Sequence, residues 1–491
     1  MRYLAACLIT ALLWTTAARA DSGELRDRRL ALKDTLGDHA ILVMFPEEFR
    51  TRSNDVSWPY RQSNHLHYLT HATEPGTHLV IVRDGRDWSE YLFAKLSDPY
   101  YEVWEGRLPT EEELQERTGI ETIYPESEFH SAMEALLNGN RVSPDREGRY
   151  LKPEHWELFA PLVEGEVEVW LDLGRQRGLG TSNAPTRAQH FAAQLREVFP
   201  EIRIRNIGPQ LEFNRHSKSD SEIDLLQDAI DITREAQLAA MARVQTASHE
   251  YEVQAAIEFT FRDLGACCPG FPSIVASGDS TTILHYSANN APLAEDALLL
   301  ADIGAEVDYY SADITRTFPV SGKFSEEQRL IYELVLKAQR ATIAAAKPGS
   351  TMQELEQLTI QQLGEGLLEL GLITEINYEQ VKSYFMHGLG HSLGMDVHDA
   401  FEYHFKLEPG VVTTIEPGIY VRPQDVVLKD WYLALDEEQR SRVNAALERF
   451  GGIGVRIEDV ILITRRGNRL MSADIPVTVE EIETTMAAAR R

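Results

Sequence analysis

Five residues in the last two hundred positions could do chemistry together: Asp302, Asp313, His391, Glu416 and Glu458. Asp302 lies in Leu299-Leu300-Ala301-Asp302-Ile303-Gly304, and Asp313 in Ser311-Ala312-Asp313-Ile314-Thr315-Arg316-Thr317. His391 ends His387-Gly388-Leu389-Gly390-His391, Glu416 opens Glu416-Pro417-Gly418, and Glu458 lies in Val455-Arg456-Ile457-Glu458-Asp459. Four carboxylates and one imidazole can hold two divalent cations side by side. Such a pair shares a bridging water, lowers its pKa and makes it a nucleophile at neutral pH. The set therefore points to hydrolysis.

Taken singly, most of these positions have a plainer reading. Glu458 alternates with Val455 and Ile457, so that Arg456 and Glu458 share a face and could be a simple salt bridge. Glu416 could merely end the strand 411–415. His387 and His391 are four apart, but glycines at 388 and 390 argue against a helix, and the helical zinc-protease pattern is absent. Asp302 is different. It follows Ala297-Leu298-Leu299-Leu300 into an apolar strand, where a carboxylate needs a strong partner such as a cation. Asp313 is eleven positions on, and a hairpin through 306–310 would bring both to one sheet face.

The elements that must position them are legible. Residues 40–45, 78–82 and 167–171 read as buried strands of an α/β unit. Thr110 with Glu113 forms a capping box that starts a helix. The polar, basic stretch 214–221 marks a boundary, giving a domain over 21–210 and a second over 215–491. Ser221 with Asp224 is expected to open a long helix. Another runs from an N-cap at Ser325, with Gln328 at the third position, to Lys347 before Pro348-Gly349. A further helix is expected at Asp436 to Arg449.

The chain has 491 residues, enough for two or three domains with sizeable cores. Its net charge of −29 disfavours nucleic acid and anionic membrane surfaces as partners. Residues 1–20 read as a signal peptide. Arg2 is followed by an apolar run from Leu4 to Trp14, shorter than a bilayer span, and by the small-x-small site Ala18-Arg19-Ala20. Export to the periplasm, with no membrane span after cleavage, is the simplest expectation. Cleavage leaves Cys267 and Cys268. Neighbouring cysteines rarely pair, because disulfide geometry wants Cα atoms about 5.5 Å apart, so no disulfide is expected.

In this order the motifs resemble those of aminopeptidase P and prolidase, the proline-specific metallopeptidases of the pita-bread fold. The resemblance runs from near Leu30 to the end. It is most specific over Leu300 to Lys323, and in Phe385-Met386-His387-Gly388-Leu389-Gly390-His391 with Asp396-Val397-His398-Asp399. It implies an α/β N-terminal domain followed by a pita-bread catalytic domain (α+β). Asp302 would bind one metal, His391 and Glu416 the other, and Asp313 and Glu458 would bridge them. Manganese is the first expectation, with zinc, cobalt and iron as alternatives. The resemblance implies that Glu416 shuttles a proton to the leaving imino nitrogen. His285 would line the site, His398 would stabilise the tetrahedral intermediate, His387 would lie near the proline pocket, and Arg456 would orient an acidic ligand. Read alone, His285 beside Tyr286 would be a core histidine.

The N-terminal domain also follows the family pattern, at Arg52-Ser53-Asn54-Asp55, Pro59-Tyr60-Arg61-Gln62 and Trp104. In relatives this domain mediates oligomerisation, so a homodimer or homotetramer is implied, with Asp55 and Trp104 lent to a neighbouring site. Three departures stand out. The loop between His398 and Leu407 is short and has Lys406 as its only lysine or arginine. An insertion lies between Val421 and Phe450. Val460 replaces a commonly polar residue. The expected activity is Xaa-Pro aminopeptidase. The alternatives are a prolidase restricted to Xaa-Pro dipeptides, or a metal-free binding protein of the same fold.

Overall fold

The run His39–Met44 forms β1, which is apolar on both faces because both are covered. The computed structural model describes residues 20–138, 155, 158–174, 185–400 and 403–490. The signal peptide expected over residues 1–20 falls, up to residue 19, outside the described residues. Two compact units emerge, Ala20–Ser217 with His398–Glu402, and Lys218–Val397 with Tyr403–Arg491.

In the first unit β1 is central. With β2 (His78–Asp84), β3 (Asp87–Ala94), β4 (Thr122–Pro125), β5 (Glu168–Leu171) and β6 (Arg203–Asn206) it builds a sheet of order β4-β3-β2-β1-β5-β6. β1, β2 and β3 pair antiparallel, and the outer pairings are parallel. Helices α1 (Glu111–Thr118) and α2 (Arg187–Val198) each begin in a capping box, Thr110 with Glu113 and Thr186 with Gln189. Ile41, Val43, Val80, Phe93, Phe129 and Leu195 share the core.

The second unit starts with α3 (Asp220–Arg243), capped by Ser219 with Glu222 rather than by Ser221 with Asp224. Glutamate reaches back to the cap backbone as the shorter aspartate does not, so the earlier serine wins. There follow α4 (Glu250–Asp263), β7 (Cys268–Pro269), β8 (Ile274–Ser277), β9 (Leu298–Ile303), β10 (Ala305–Val307), β11 (Tyr310–Ser311) and β12 (Ile314–Pro319). Next are α5 (Glu326–Ala345), capped by Ser325 and Gln328, and α6 (Met352–Glu369). α5 ends two residues before Lys347. The chain closes with β13 (Val412–Ile415), β14 (Gly418–Tyr420), α7 (Glu437–Phe450), β15 (Gly454–Arg456), β16 (Asp459–Thr464), β17 (Gly467–Leu470) and α8 (Val479–Ala489).

Its strands form sheets β8-β9-β12, β11-β10-β7, β13-β16-β17 and β14-β15. Two expectations are corrected here. Asp302 and Asp313 are not joined by a plain hairpin. β9 does pair antiparallel with β12, but the connection folds into its own hairpin, β10–β11, which pairs with β7. Its turn, Asp308-Tyr309, holds two non-glycine residues at φ 46° and 75°, the left-handed pair that a type I′ turn demands. The alternating run 455–459 is likewise two strands. The chain leaves β15 at Arg456 and enters β16 at Asp459, with Glu458 at the crossing between two sheets.

Cys267 and Cys268 are joined as a vicinal disulfide, against expectation. The bond closes a ring between adjacent residues and ties no distant segments, so it removes little chain entropy. The segment 421–450 contributes to the core: its Val426, Val443, Leu447 and Phe450 are buried in the unit's main apolar cluster.

Candidate metal centre

Asp302 sits within β9, opposite Thr315 of β12, and Asp313 immediately precedes β12. Gln237 of α3 pins this pair. Its buried amide donates to Ala301 O at 3.1 Å and Ile314 O at 2.9 Å, beside both carboxylates. Gly304 has to be glycine, since a Cβ there would lie 1.8 Å from Ala312 O. That close approach turns Asp313 back towards Asp302.

His391 comes from the loop ahead of β13. Its N–H donates to Thr414 Oγ1 at 3.0 Å, and a Cβ at Gly390 would lie 2.2 Å from Thr414 O. The glycines expected to prevent a helix thus let this loop lie against the strand. His391 Nδ1 is 3.1 Å from Ser392 O, so Nδ1 carries the hydrogen and Nε2 offers a lone pair. Nε2 lies 3.5 Å from Asp313 Oδ2, 3.5 Å from Glu416 Oε1 and 4.0 Å from Glu458 Oε1. Asp313, His391 and Glu458 each offer a donor atom within 4.8 Å of the others.

The supporting contacts are as specific. Arg456 donates from Nη2 to Asp302 Oδ2 at 2.6 Å, from Nη1 to Tyr420 OH at 2.9 Å and from Nε to Thr315 Oγ1 at 3.2 Å. Thr315 Oγ1 donates to Glu458 Oε2 at 2.7 Å. Tyr420 OH lies 2.8 Å from His387 Nε2, and His387 Nδ1 lies 2.8 Å from Gly388 O. The consistent reading is a relay in which Tyr420 accepts from Arg456 and donates to His387. A buried ion pair, Arg316 Nη2 with Asp459 Oδ1 at 2.7 Å, fixes the crossing. Arg316 Nη1 also donates to Glu458 O at 2.7 Å.

The electrostatics favour a cation. Asp302 Oδ1, Asp313 Oδ1 and Glu458 Oε1 are buried and have no hydrogen-bond partner among the described residues. Burial, then repulsion by Glu458 and Asp302, holds the Asp313 carboxyl well above the usual range. Burial, then Glu458, does the same to Glu416. Glu458 is pushed up to about 7 by burial and then by Asp302. Carboxylate oxygens gathered in a largely buried site, three of them without a hydrogen-bond partner among the described residues, are the donor set a hard divalent ion takes.

The structure thus gathers Asp302, Asp313, His391, Glu416 and Glu458, with Arg456 and His387 beside them. His285 lies in the exposed turn after Ile283, close enough to His387 for its charge to disfavour protonation there. His398 is exposed and falls in the segment grouped with the first unit. Thr315 and Tyr420 were missed by sequence reasoning. The available signal was a tyrosine ending a fully buried strand directly after Glu416-Pro417. Val460 is a buried β16 residue opposite Thr414, an ordinary core position.

Residues 224–465 match the model of metallopeptidase family M24, and 25–143 match the aminopeptidase P N-terminal domain. The chain is 32% identical over 478 residues to the Xaa-Pro aminopeptidase of Haemophilus influenzae, covering 96% of this chain and 98% of that protein. A structure of a putative aminopeptidase P from Bacillus anthracis superposes with TM-score 0.81 at 31% identity, covering 96% of this chain and 99% of that one. Zinc-substituted Escherichia coli aminopeptidase P in complex with product gives TM-score 0.79 at 29% identity, covering 96% and 100%. The architecture is accordingly an aminopeptidase P N-terminal domain followed by a pita-bread catalytic domain. The chain belongs to metallopeptidase family M24, within its aminopeptidase P group.

Proposed function

We propose that this chain is an Xaa-Pro aminopeptidase, which hydrolyses the bond between an N-terminal residue and a following proline. The observation that carries the reading is the cluster of buried, cation-seeking carboxylates around His391 Nε2. Asp302 would hold one divalent ion, His391 and Glu416 the other, and Asp313 and Glu458 both. Manganese suits this oxygen-rich set best. Two such ions supply Lewis acidity and a nucleophile from water at neutral pH.

The chain's own residues do the rest. Glu416 Oε2 lies 3.7 Å from His387 Nδ1, and its Oε1 accepts only a long 3.4 Å bond from Thr414 Oγ1. Its carboxyl is therefore lightly held, and burial, then Glu458, raises its proton affinity, which would suit a group that takes a proton from water and delivers it to the leaving imino nitrogen. Arg456 holds Asp302 in place through its 2.6 Å contact from Nη2 to Oδ2. His387, pushed down to about 3 by burial and then by Arg456, stays neutral at working pH. His285 and His398 would face the substrate.

Export to the periplasm is proposed from residues 1–20. Among the described residues no helix is long and apolar enough to cross a membrane. A homodimer or homotetramer is supported by exposed side chains in the first unit, with Tyr100 81%, Trp104 77% and Trp58 52% exposed. The test is to incubate metal-loaded protein with Xaa-Pro and Xaa-Pro-Xaa peptides. Release of the first residue from the longer peptide is expected, and cleavage of the dipeptide alone would replace this reading with prolidase.

A further inference from the structure

The segment carrying His285 has no strand to hold it. Between β8 and β9 the chain makes a 3₁₀ turn at Gly278–Thr282 and then runs as loop to β9. Side chains of α4 hold it instead. Glu250 is fully buried. Its Oε1 accepts from Ser277 N at 2.7 Å and Ser277 Oγ at 2.8 Å, and its Oε2 from Tyr286 OH at 2.9 Å and Ala291 N at 2.8 Å. All four donors are neutral. One turn on, Gln254 Oε1 accepts from Asn289 Nδ2 at 3.1 Å. Asn289 is buried at φ 45°. It also accepts from Val275 N at 2.9 Å and donates to Ser273 O at 2.7 Å. A second turn on, Glu258 Oε1 accepts from Gln254 Nε2 at 2.8 Å and Ser273 Oγ at 3.0 Å.

Spacing of four puts Glu250, Gln254 and Glu258 on one stripe of α4. Packing alone would be served by an apolar stripe, since a buried carboxylate is costly unless every lone pair is used. At Glu250 they are used, and with Gln254 and Asn289 they fix the loop 286–291 against β8. The other side of the turn is held as well, for Leu284 O accepts from Arg456 Nη2 at 3.4 Å. His285 thus sits between one residue tied to the guanidinium that holds Asp302 and another tied to Glu250.

We propose that Glu250 is a positioning residue of the reaction: with Gln254 and Asn289 it fixes the Leu284–Tyr286 turn, and through it the placement of the His285 imidazole. The proposal rests on the reading that His285 serves the reaction. Small displacements of an aligned group cost rate, up to about a hundredfold for 1 Å.

The experiment is a double-mutant cycle on the metal-loaded, full-length enzyme with a Xaa-Pro-Xaa peptide. Glu250→Gln turns one acceptor edge into a donor facing other donors and releases the turn. It is expected to lower kcat about tenfold to a hundredfold with KM little changed and metal content unaltered. His285→Ala is also expected to lower kcat. The double variant should be no worse than His285→Ala alone, to within about twofold. Losses that multiply, or a Glu250→Gln enzyme like the parent, would make Glu250 merely structural and overturn the proposal. Full activity in His285→Ala removes the role of His285, and the proposal with it. Should Glu250→Gln not fold, Tyr286→Phe removes one of the four bonds, and its cycle with His285→Ala is decided by the same criterion.

Discussion

Arg456 and Asp302 form an ion pair of 2.6 Å with 4% and 10% of their side chains exposed. Asp302 entered an apolar strand because this arginine, from a different sheet, meets it there. Arg456→Met leaves the carboxylate without its fixed partner. Metal affinity should fall about tenfold to a hundredfold, and stability by about 3 kcal/mol, the lower end for a broken buried pair. Metal titration and thermal denaturation check both. Unchanged metal affinity would show that the pair is only structural.

Tyr420 OH joins Arg456 to His387. Tyr420→Phe keeps the ring and strips the relay, leaving a buried Arg456 N–H unpaired, at a cost of about 1–3 kcal/mol. The expected result is a clear fall in kcat with metal content unchanged, read by steady-state kinetics on metal-loaded enzyme. A variant that melts lower but turns over normally would remove the relay from the mechanism.

Asp302 was legible by itself because a carboxylate breaks the apolar run Leu298–Ile303, whereas Asp313, His391, Glu416 and Glu458 were read through the family resemblance of their motifs. The caps at Thr110 and Ser325 were legible because a capping box is a four-residue signal. Thr315 and Tyr420 were not, because their partners are 143 and 36 positions away, and a lone hydroxyl in a strand announces nothing. Nor was the break at Ile457, since two short strands in different sheets alternate as smoothly as one. The competition between Ser219 and Ser221 was decided by reach three residues on, which periodicity does not register.

Glu458 is raised to about 7, and Asp313 and Glu416 shift the same way, all chiefly by burial. An unfolded glutamate titrates near 4.3. Metal-stripped native protein therefore holds protons that the unfolded chain has released. Its stabilisation from these groups is full below about pH 4 and is lost as pH rises through about 7. Cations replace those protons, so loaded protein escapes the loss. His387, lowered to about 3 mainly by burial, acts in the opposite sense but in both forms alike. The melting-temperature gap between loaded and stripped protein should widen from about pH 5 to about pH 8. A constant or narrowing gap would contradict a site built to be neutralised by metal.

The most direct measurement is a metal titration of chelator-stripped protein, following release of the first residue from a Xaa-Pro-Xaa peptide. The five residues are expected to give no release without metal and a rise to a plateau near about two equivalents per chain. Full release by stripped protein, or none at any metal concentration while Xaa-Pro-Xaa is present, would contradict a dinuclear centre made of Asp302, Asp313, His391, Glu416 and Glu458.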